Sequence, residues 1–104
     1  MAWVYLFFAG ILEIVWSFTM KQSAGFTKIT PTIITLIAMI FSVIFLSISM
    51  KSLPLGTAYT IWTGIGAVGA FLTGLFILGE PANVMRLIAA GLIVSGLVIM
   101  KITS

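Results

Sequence analysis

The sequence predicts an all-α membrane protein with four transmembrane helices, and three observations lead to that fold class. Of its 104 residues, 62% are hydrophobic and only 7% are charged, whereas soluble domains typically carry about 25% charged residues. Four apolar segments are each long enough as a helix, at about 1.5 Å per residue, to cross a hydrocarbon core about 30 Å thick. Backbone groups in lipid must be hydrogen-bonded within the protein, which favours helices. The predicted spans are residues 2–20, 31–50, 57–78 and 84–100 of a single domain covering 1–104.

The first span contains Glu13, the one ionisable side chain well inside any span. The segment lacks a basic start and Glu13 interrupts its apolar run, so we interpret it as a retained span and not as a signal peptide. Glu13 lies about 10 Å or more along the helix from either end, where a charged carboxylate costs a few kcal/mol at least. Ion and proton pathways need such a group, which makes Glu13 a candidate functional residue. The alternative is a neutral side chain hydrogen-bonded between helices.

Trp16 lies one helical turn from Glu13, on the same face. It is also four residues from the end of the span, so it suits either an interfacial aromatic belt or a pocket wall whose indole N–H donates to the carboxylate. The sequence does not distinguish the interfacial belt from the pocket wall.

Polar and aromatic side chains in the second and third spans extend the candidate site. Ser42 lies near the middle of the second span, although a serine in a membrane helix usually bonds its own backbone four residues earlier. Tyr59 and Trp62 share one face of the third span, and such rings beside a buried carboxylate can bind a cation. Since Tyr59 is near the start of its span, an interfacial belt is the alternative.

Glycines are concentrated in the third span, where the segment GIGAVG matches the dinucleotide-binding pattern G-x-G-x-x-G. No strand precedes it and no acid follows at about twenty residues, so we exclude a dinucleotide site. Glycines in membrane helices instead permit close packing or bending. We assign these roles to Gly10, Gly64, Gly66, Gly69, Gly91 and Gly96. A homodimer that uses the fourth span as its contact would double the helices and pair two Glu13 side chains.

The basic residues are divided almost equally between the two membrane faces. Lys51 and Lys101 share the face of the chain termini, and Lys21, Lys28 and Arg86 lie on the other. Lys/Arg imbalance sets orientation, so no single insertion direction is favoured, unless other translocation cues decide it. Scattered basic residues exclude a nucleic-acid surface. The absence of Cys and His excludes the usual zinc, haem and thiol chemistries, and we expect no metal, no cofactor, no catalytic residue and no enzyme activity.

Three segments carry a family resemblance: GILEIVWSFTMK, SAGFTKITP and LPLGTAYTIWTGIGAVGA. With them the chain resembles the small multidrug resistance family over essentially its whole length. It looks like the guanidinium exporter subtype because Trp16 stands where the drug-exporting subtype has a small residue, often Gly. The run WTGIG and Lys101 are further features of that subtype.

The resemblance implies a multi-pass protein of the bacterial inner membrane that forms an antiparallel, dual-topology homodimer. It implies export of guanidinium and small substituted guanidinium cations in exchange for protons, with Glu13 of each subunit binding proton and substrate in turn. The other site residues implied are Trp16, Ser42, Tyr59 and Trp62. Two alternatives remain: a quaternary ammonium or multidrug exporter of the same family, and a non-transporting partner subunit of a heteromeric membrane complex. The balanced charges argue against the second, since paired partners should carry opposite biases.

Overall fold

The computed structural model describes residues 1–103 and contains four α-helices and, in that part of the chain, no strand. The helices are α1 (Ala2–Gln22), α2 (Ile29–Ser49), α3 (Leu55–Phe76) and α4 (Val84–Ile102). All four are long and apolar enough to cross a membrane, so the predicted fold class is confirmed at the level of the subunit. The single domain over 1–104 stays a prediction, and its last residue lies outside the described range.

The turn after α1 is shorter than the sequence suggested. Ala24, Gly25 and Phe26 all have positive φ, at 50°, 76° and 65°, which reverses the chain at once. The buried hydroxyl of Ser23 accepts a hydrogen bond from the Phe26 amide at 3.0 Å and thereby holds this left-handed turn. α2 begins before Pro31 because the first turn of a helix does not need the N–H that proline lacks.

The third and fourth helices also differ from the predicted spans by about two residues at one or both ends. α3 begins at Leu55, directly after Pro54, and ends before the turn that Gly79 makes with a φ of 69°. α4 begins where the Asn83 side chain caps it, by accepting a hydrogen bond from the Arg86 amide at 2.9 Å. Caps and turn residues, and not hydropathy, therefore fix where these helices begin and end.

The four helices form a thin layer and not an enclosed bundle. Their Cα atoms extend over 40 × 35 × 16 Å, and the shortest dimension is less than two helix diameters. α1 packs along both α2 and α3, whereas α4 packs on α3 and has no buried residue. Lys101 of α4 also lies 4.8 Å from the centre of the Trp3 ring, which links the two ends of the chain. The buried apolar cluster is Leu6, Ala9, Leu46, Ala58 and Ile61.

Glycines bring α1 and α3 into close contact. A methyl group on Gly10 would lie 2.6 Å from Ile65 Cγ2, and one on Gly69 would collide with the Ile14 side chain. On the other face of α3, a methyl group on Gly64 would collide with Leu97 of α4. Gly91 and Gly96 face open space in the subunit, so the packing assigned to them stays a prediction for an assembled protein.

We expect Gly69→Ala to destabilise the subunit, by about 1–3 kcal/mol, because overpacking forces neighbouring side chains and helices to shift. The loss should appear as a lower midpoint in a denaturing-detergent titration followed by Trp fluorescence. Gly56→Ala is the matched control, since a methyl group there meets nothing within 4 Å. Equal midpoints for the two variants would contradict the close approach of α1 and α3 at Gly69.

Candidate functional site

The Glu13 carboxyl group lies between α1 and α3, in the space that Gly66 leaves empty. Gly66 is buried, and a Cβ atom there would collide with Glu13 Oε1 and Cδ. Oε1 is itself buried and has no hydrogen-bond partner among the described residues. A buried acceptor without a partner costs about 1–3 kcal/mol, so a donor from outside the described residues would stabilise Glu13 Oε1.

Trp16 presents a second buried polar atom without a partner. Its indole Nε1 has no acceptor among the described residues, and in this conformation it does not donate to Glu13. The side chain is half-buried on α1, one turn from Glu13. An indole N–H can only donate, so Trp16 needs an oxygen atom of a rearranged Glu13, a partner molecule or water.

Ser42 connects three helices next to this site. Its hydroxyl is fully buried, donates to the Ala9 carbonyl at 2.7 Å and accepts from Trp62 Nε1 at 3.0 Å. The usual bond of a membrane serine to its own helix is therefore replaced by bonds to α1 and α3. Ala9 is four residues before Glu13, so its carbonyl also accepts the helical hydrogen bond from the Glu13 amide. The Ser42 hydroxyl therefore donates to the carbonyl directly below Glu13 on α1.

Tyr59 joins the site through Trp62. The two ring centroids are 5.5 Å apart with an interplanar angle of 58°. Tyr59 is 50% exposed, whereas Trp62 packs against the buried apolar cluster. Trp62 precedes Gly66 by one turn and shares its face of α3, and its indole N–H is bonded to Ser42.

The structure thus brings Glu13, Ser42 and Trp62 onto adjoining turns of three helices, and the Tyr59 ring contacts Trp62 in a tilted arrangement. Trp16 lies one turn further along α1 and contacts none of these polar groups by a hydrogen bond. Within residues 1–103, no three His, Cys, Asp or Glu side chains are grouped closely enough to hold a metal ion.

Sequence reasoning missed two polar features near the site. Thr19 and the fully buried Thr35 share a hydrogen bond of 2.6 Å, which fastens α1 to α2. A threonine in the middle of an apolar run was the available signal, but it does not reveal a partner on another helix. The second feature is Glu80, whose carboxyl group packs on Gly74 at the end of α3.

The profile of the family described as Small Multidrug Resistance protein matches residues 1–93 of this chain. The chain belongs to that family. The family resemblance seen in the sequence is therefore confirmed. Among its relatives in the small multidrug resistance family, the guanidinium exporters of Citrobacter freundii and Salmonella typhimurium are 52% identical over 104 residues, which cover 100% of this chain and 99% of each relative. The guanidinium exporter of Yersinia pseudotuberculosis is 51% identical over the whole length of both chains.

Proposed function

We propose that this membrane protein exports guanidinium and small substituted guanidinium cations in exchange for protons. The observation that carries the proposal is the buried Glu13 carboxyl oxygen, which has no hydrogen-bond partner and occupies the space beside Gly66. The full-length similarity to proteins named guanidinium exporters supports the choice of cation.

The chemistry of the cation matches the groups of the site. Guanidinium is planar and carries parallel N–H donors, which a carboxylate can accept in pairs. Glu13 supplies that carboxylate, and the rings of Tyr59 and Trp62 supply apolar faces that attract a cation. In this proposal Trp16 closes the site on the far side of Glu13 and limits the size of the substrate.

Ser42 orients the carboxylate in the proposed mechanism. A serine hydroxyl has one proton, so it donates either to the Ala9 carbonyl, as observed, or to Glu13. Turning the hydroxyl toward a charged Glu13 keeps the Trp62 N–H bonded to Ser42, because the serine oxygen still accepts. In this mechanism the Ser42 hydroxyl donates to the Ala9 carbonyl when Glu13 carries no charge, and to Glu13 when it is charged.

Competition for one carboxylate couples the two transport steps. A proton on Glu13 removes the negative charge that holds the cation, and a bound cation excludes the proton. When such a site opens to one membrane face at a time, each cation that leaves is replaced by protons, and the result is exchange.

The proposed transporter is an antiparallel homodimer in the bacterial inner membrane. One subunit is a layer whose Cα atoms are only 16 Å deep, so it cannot surround a cation. α4 leaves its outer face unoccupied, with Gly91 and Gly96 open for close contact with a second copy. The balanced Lys/Arg distribution supports insertion in both directions. A dimer of this kind brings two Glu13 side chains to one cavity.

The proposal is tested by transport in liposomes that contain the purified protein. We expect currents or proton fluxes with guanidinium and methylguanidinium to exceed those with tetrapropylammonium by at least about tenfold. A carboxylate site that accepts hydrogen bonds from the N–H groups of its substrate is left with unpaired acceptors when the cation has no N–H group. A larger response to tetrapropylammonium would favour the quaternary ammonium exporter, and no response to any cation would favour a non-transporting subunit.

A further inference from the structure

A cleft lies between α1 and α3, nearer than Glu13 to the membrane face that carries the α1–α2 and α3–α4 turns. It has a volume of about 140 Å³, and its polar lining includes one acidic and one basic side chain. The lining residues that matter here are Ser17, Lys21, Ala70, Thr73, Gly74 and Glu80. We call this the Glu80 cleft.

The Glu80 cleft lies along the same helix faces as Glu13, although Glu13 and Gly66 are not among the residues that line it. On α1, Ser17 and Lys21 follow Glu13 at intervals of four residues, and on α3 Ala70 and Gly74 follow Gly66 in the same way. Residues four apart lie above one another on a helix. The two rows run together for eight residues, or about 12 Å, from the Glu13 carboxyl group to the turn after α3.

The fold holds the Glu80 carboxyl group at the outer end of this cleft. Gly79 turns the chain with a φ of 69°, and the Glu80 amide then donates to the Gly74 carbonyl at 2.9 Å. The Glu80 side chain lies over Gly74, where a Cβ atom would collide with Oε1. Two glycines therefore allow the carboxyl group to lie here, Gly79 by its backbone conformation and Gly74 by its missing side chain.

Lys21 lines the same cleft but forms no ion pair with Glu80 among the described residues. Both side chains are exposed, but the Lys21 ammonium group is on a long side chain that can turn to water, whereas the Glu80 carboxyl group lies over Gly74. A planar cation with parallel N–H donors fits a carboxylate better than a single ammonium does. Guanidinium can therefore pair with Glu80 in a geometry that the Lys21 ammonium group cannot match.

We propose that Glu80 is a recruiting carboxylate, which attracts the organic cation to the outer end of the Glu80 cleft before the cation reaches Glu13, and that Lys21 opposes it. This inference rests on the proposed function, because it names a further specificity residue of the same transport path. In a dual-topology dimer, one such cleft opens to each face of the membrane.

The test begins with Glu80→Gln, which keeps the shape of the side chain and removes its charge. Initial rates of exchange are measured in proteoliposomes against guanidinium concentration, at ionic strengths of about 0.01 M and about 0.3 M, where the screening lengths differ several-fold. We expect KM to rise about threefold to tenfold at low ionic strength, with a saturating rate within about twofold of the original protein. The difference in KM should shrink at high ionic strength.

Two further variants separate recruitment from a structural role. Lys21→Gln should lower KM, because it removes the opposing charge. Gly74→Ala keeps the charge of Glu80 but displaces its carboxyl group, so this variant should raise KM. In a protein that also carries Glu80→Gln, adding Gly74→Ala should not raise KM further. Gly56→Ala is the control for Gly74→Ala, because its new methyl group has open space.

An unchanged KM in Glu80→Gln at low ionic strength would overturn the inference, as would a fall in the saturating rate alone. If Glu80→Gln does not fold, an unchanged or raised KM in Lys21→Gln would overturn it instead. Absence of exchange in the original protein would refute the proposed function, whereas normal exchange with an unaffected KM in these variants would refute only the role of Glu80.

Discussion

Glu13→Gln is expected to reduce guanidinium exchange to the level of liposomes without protein. Glutamine preserves the length of the side chain and its place beside Gly66, but it can neither carry a negative charge nor exchange a proton. In the proposed mechanism both halves of the transport cycle depend on that charge. The measurement is uptake of guanidinium driven by an outward proton gradient, with the protein quantified in each preparation.

Gly56→Ala serves as the control, since it alters a residue at the start of α3 with open space around it. It should transport as the original protein does. Elution of Glu13→Gln at the same volume as the original protein in detergent would show that its assembly is intact. Exchange by Glu13→Gln above the protein-free level would remove Glu13 from the mechanism.

Gly66→Ala is expected to weaken guanidinium binding by about tenfold to a hundredfold, although residue 66 carries no polar group. The new methyl group would occupy the space of the Glu13 carboxyl group and push it away from its present position. In enzymes, a misplacement of about 1 Å in a positioned group can cost about a hundredfold in rate, and we expect a loss of similar size in binding here. The measurement is guanidinium binding followed by the fluorescence of the site tryptophans.

The comparison with Gly69→Ala shows whether the effect is specific to the carboxylate. Gly69 lies one turn further along α3 and approaches Ile14, so its substitution should lower stability with a smaller effect on binding. Equal losses of affinity in the two variants would mean that Gly66 contributes only to helix packing.

The sequence was sufficient to predict four spans and to single out Glu13 as the ionisable residue inside the first. Both predictions depend on hydropathy and on the cost of a charge in lipid. It was less informative about helix ends. Pro31 was expected to begin α2, but a proline is tolerated inside the first turn and the helix begins earlier. The positive φ of Ala24 and Phe26 had no signal at all, since neither residue favours that conformation.

The partners of the site residues were beyond the reach of the sequence. Whether Ser42 bonds its own helix or a neighbouring one depends on the register between α1 and α2, which no local pattern encodes. The same holds for Gly66: its spacing predicted close packing, but only the structure shows that the group it accommodates is Glu13. For Trp16, the structure shows that the indole N–H is buried without an acceptor in the subunit. Its acceptor in the assembled protein is therefore not determined by the subunit alone.

In the proposed mechanism protons and guanidinium compete for Glu13, so guanidinium binding must depend on pH. A cation stabilises the charged carboxylate and a proton abolishes it, so lowering the pH must weaken apparent guanidinium affinity, and binding must release protons. Calorimetric titrations of the purified protein in two buffers of different ionisation enthalpy give both quantities. We expect affinity to fall by up to about tenfold per pH unit on the acid side for each proton displaced, in line with about 1.4 kcal/mol per pH unit. An affinity that stays constant from acid to alkaline pH, with no proton released, would contradict competition at Glu13 and with it the exchange mechanism.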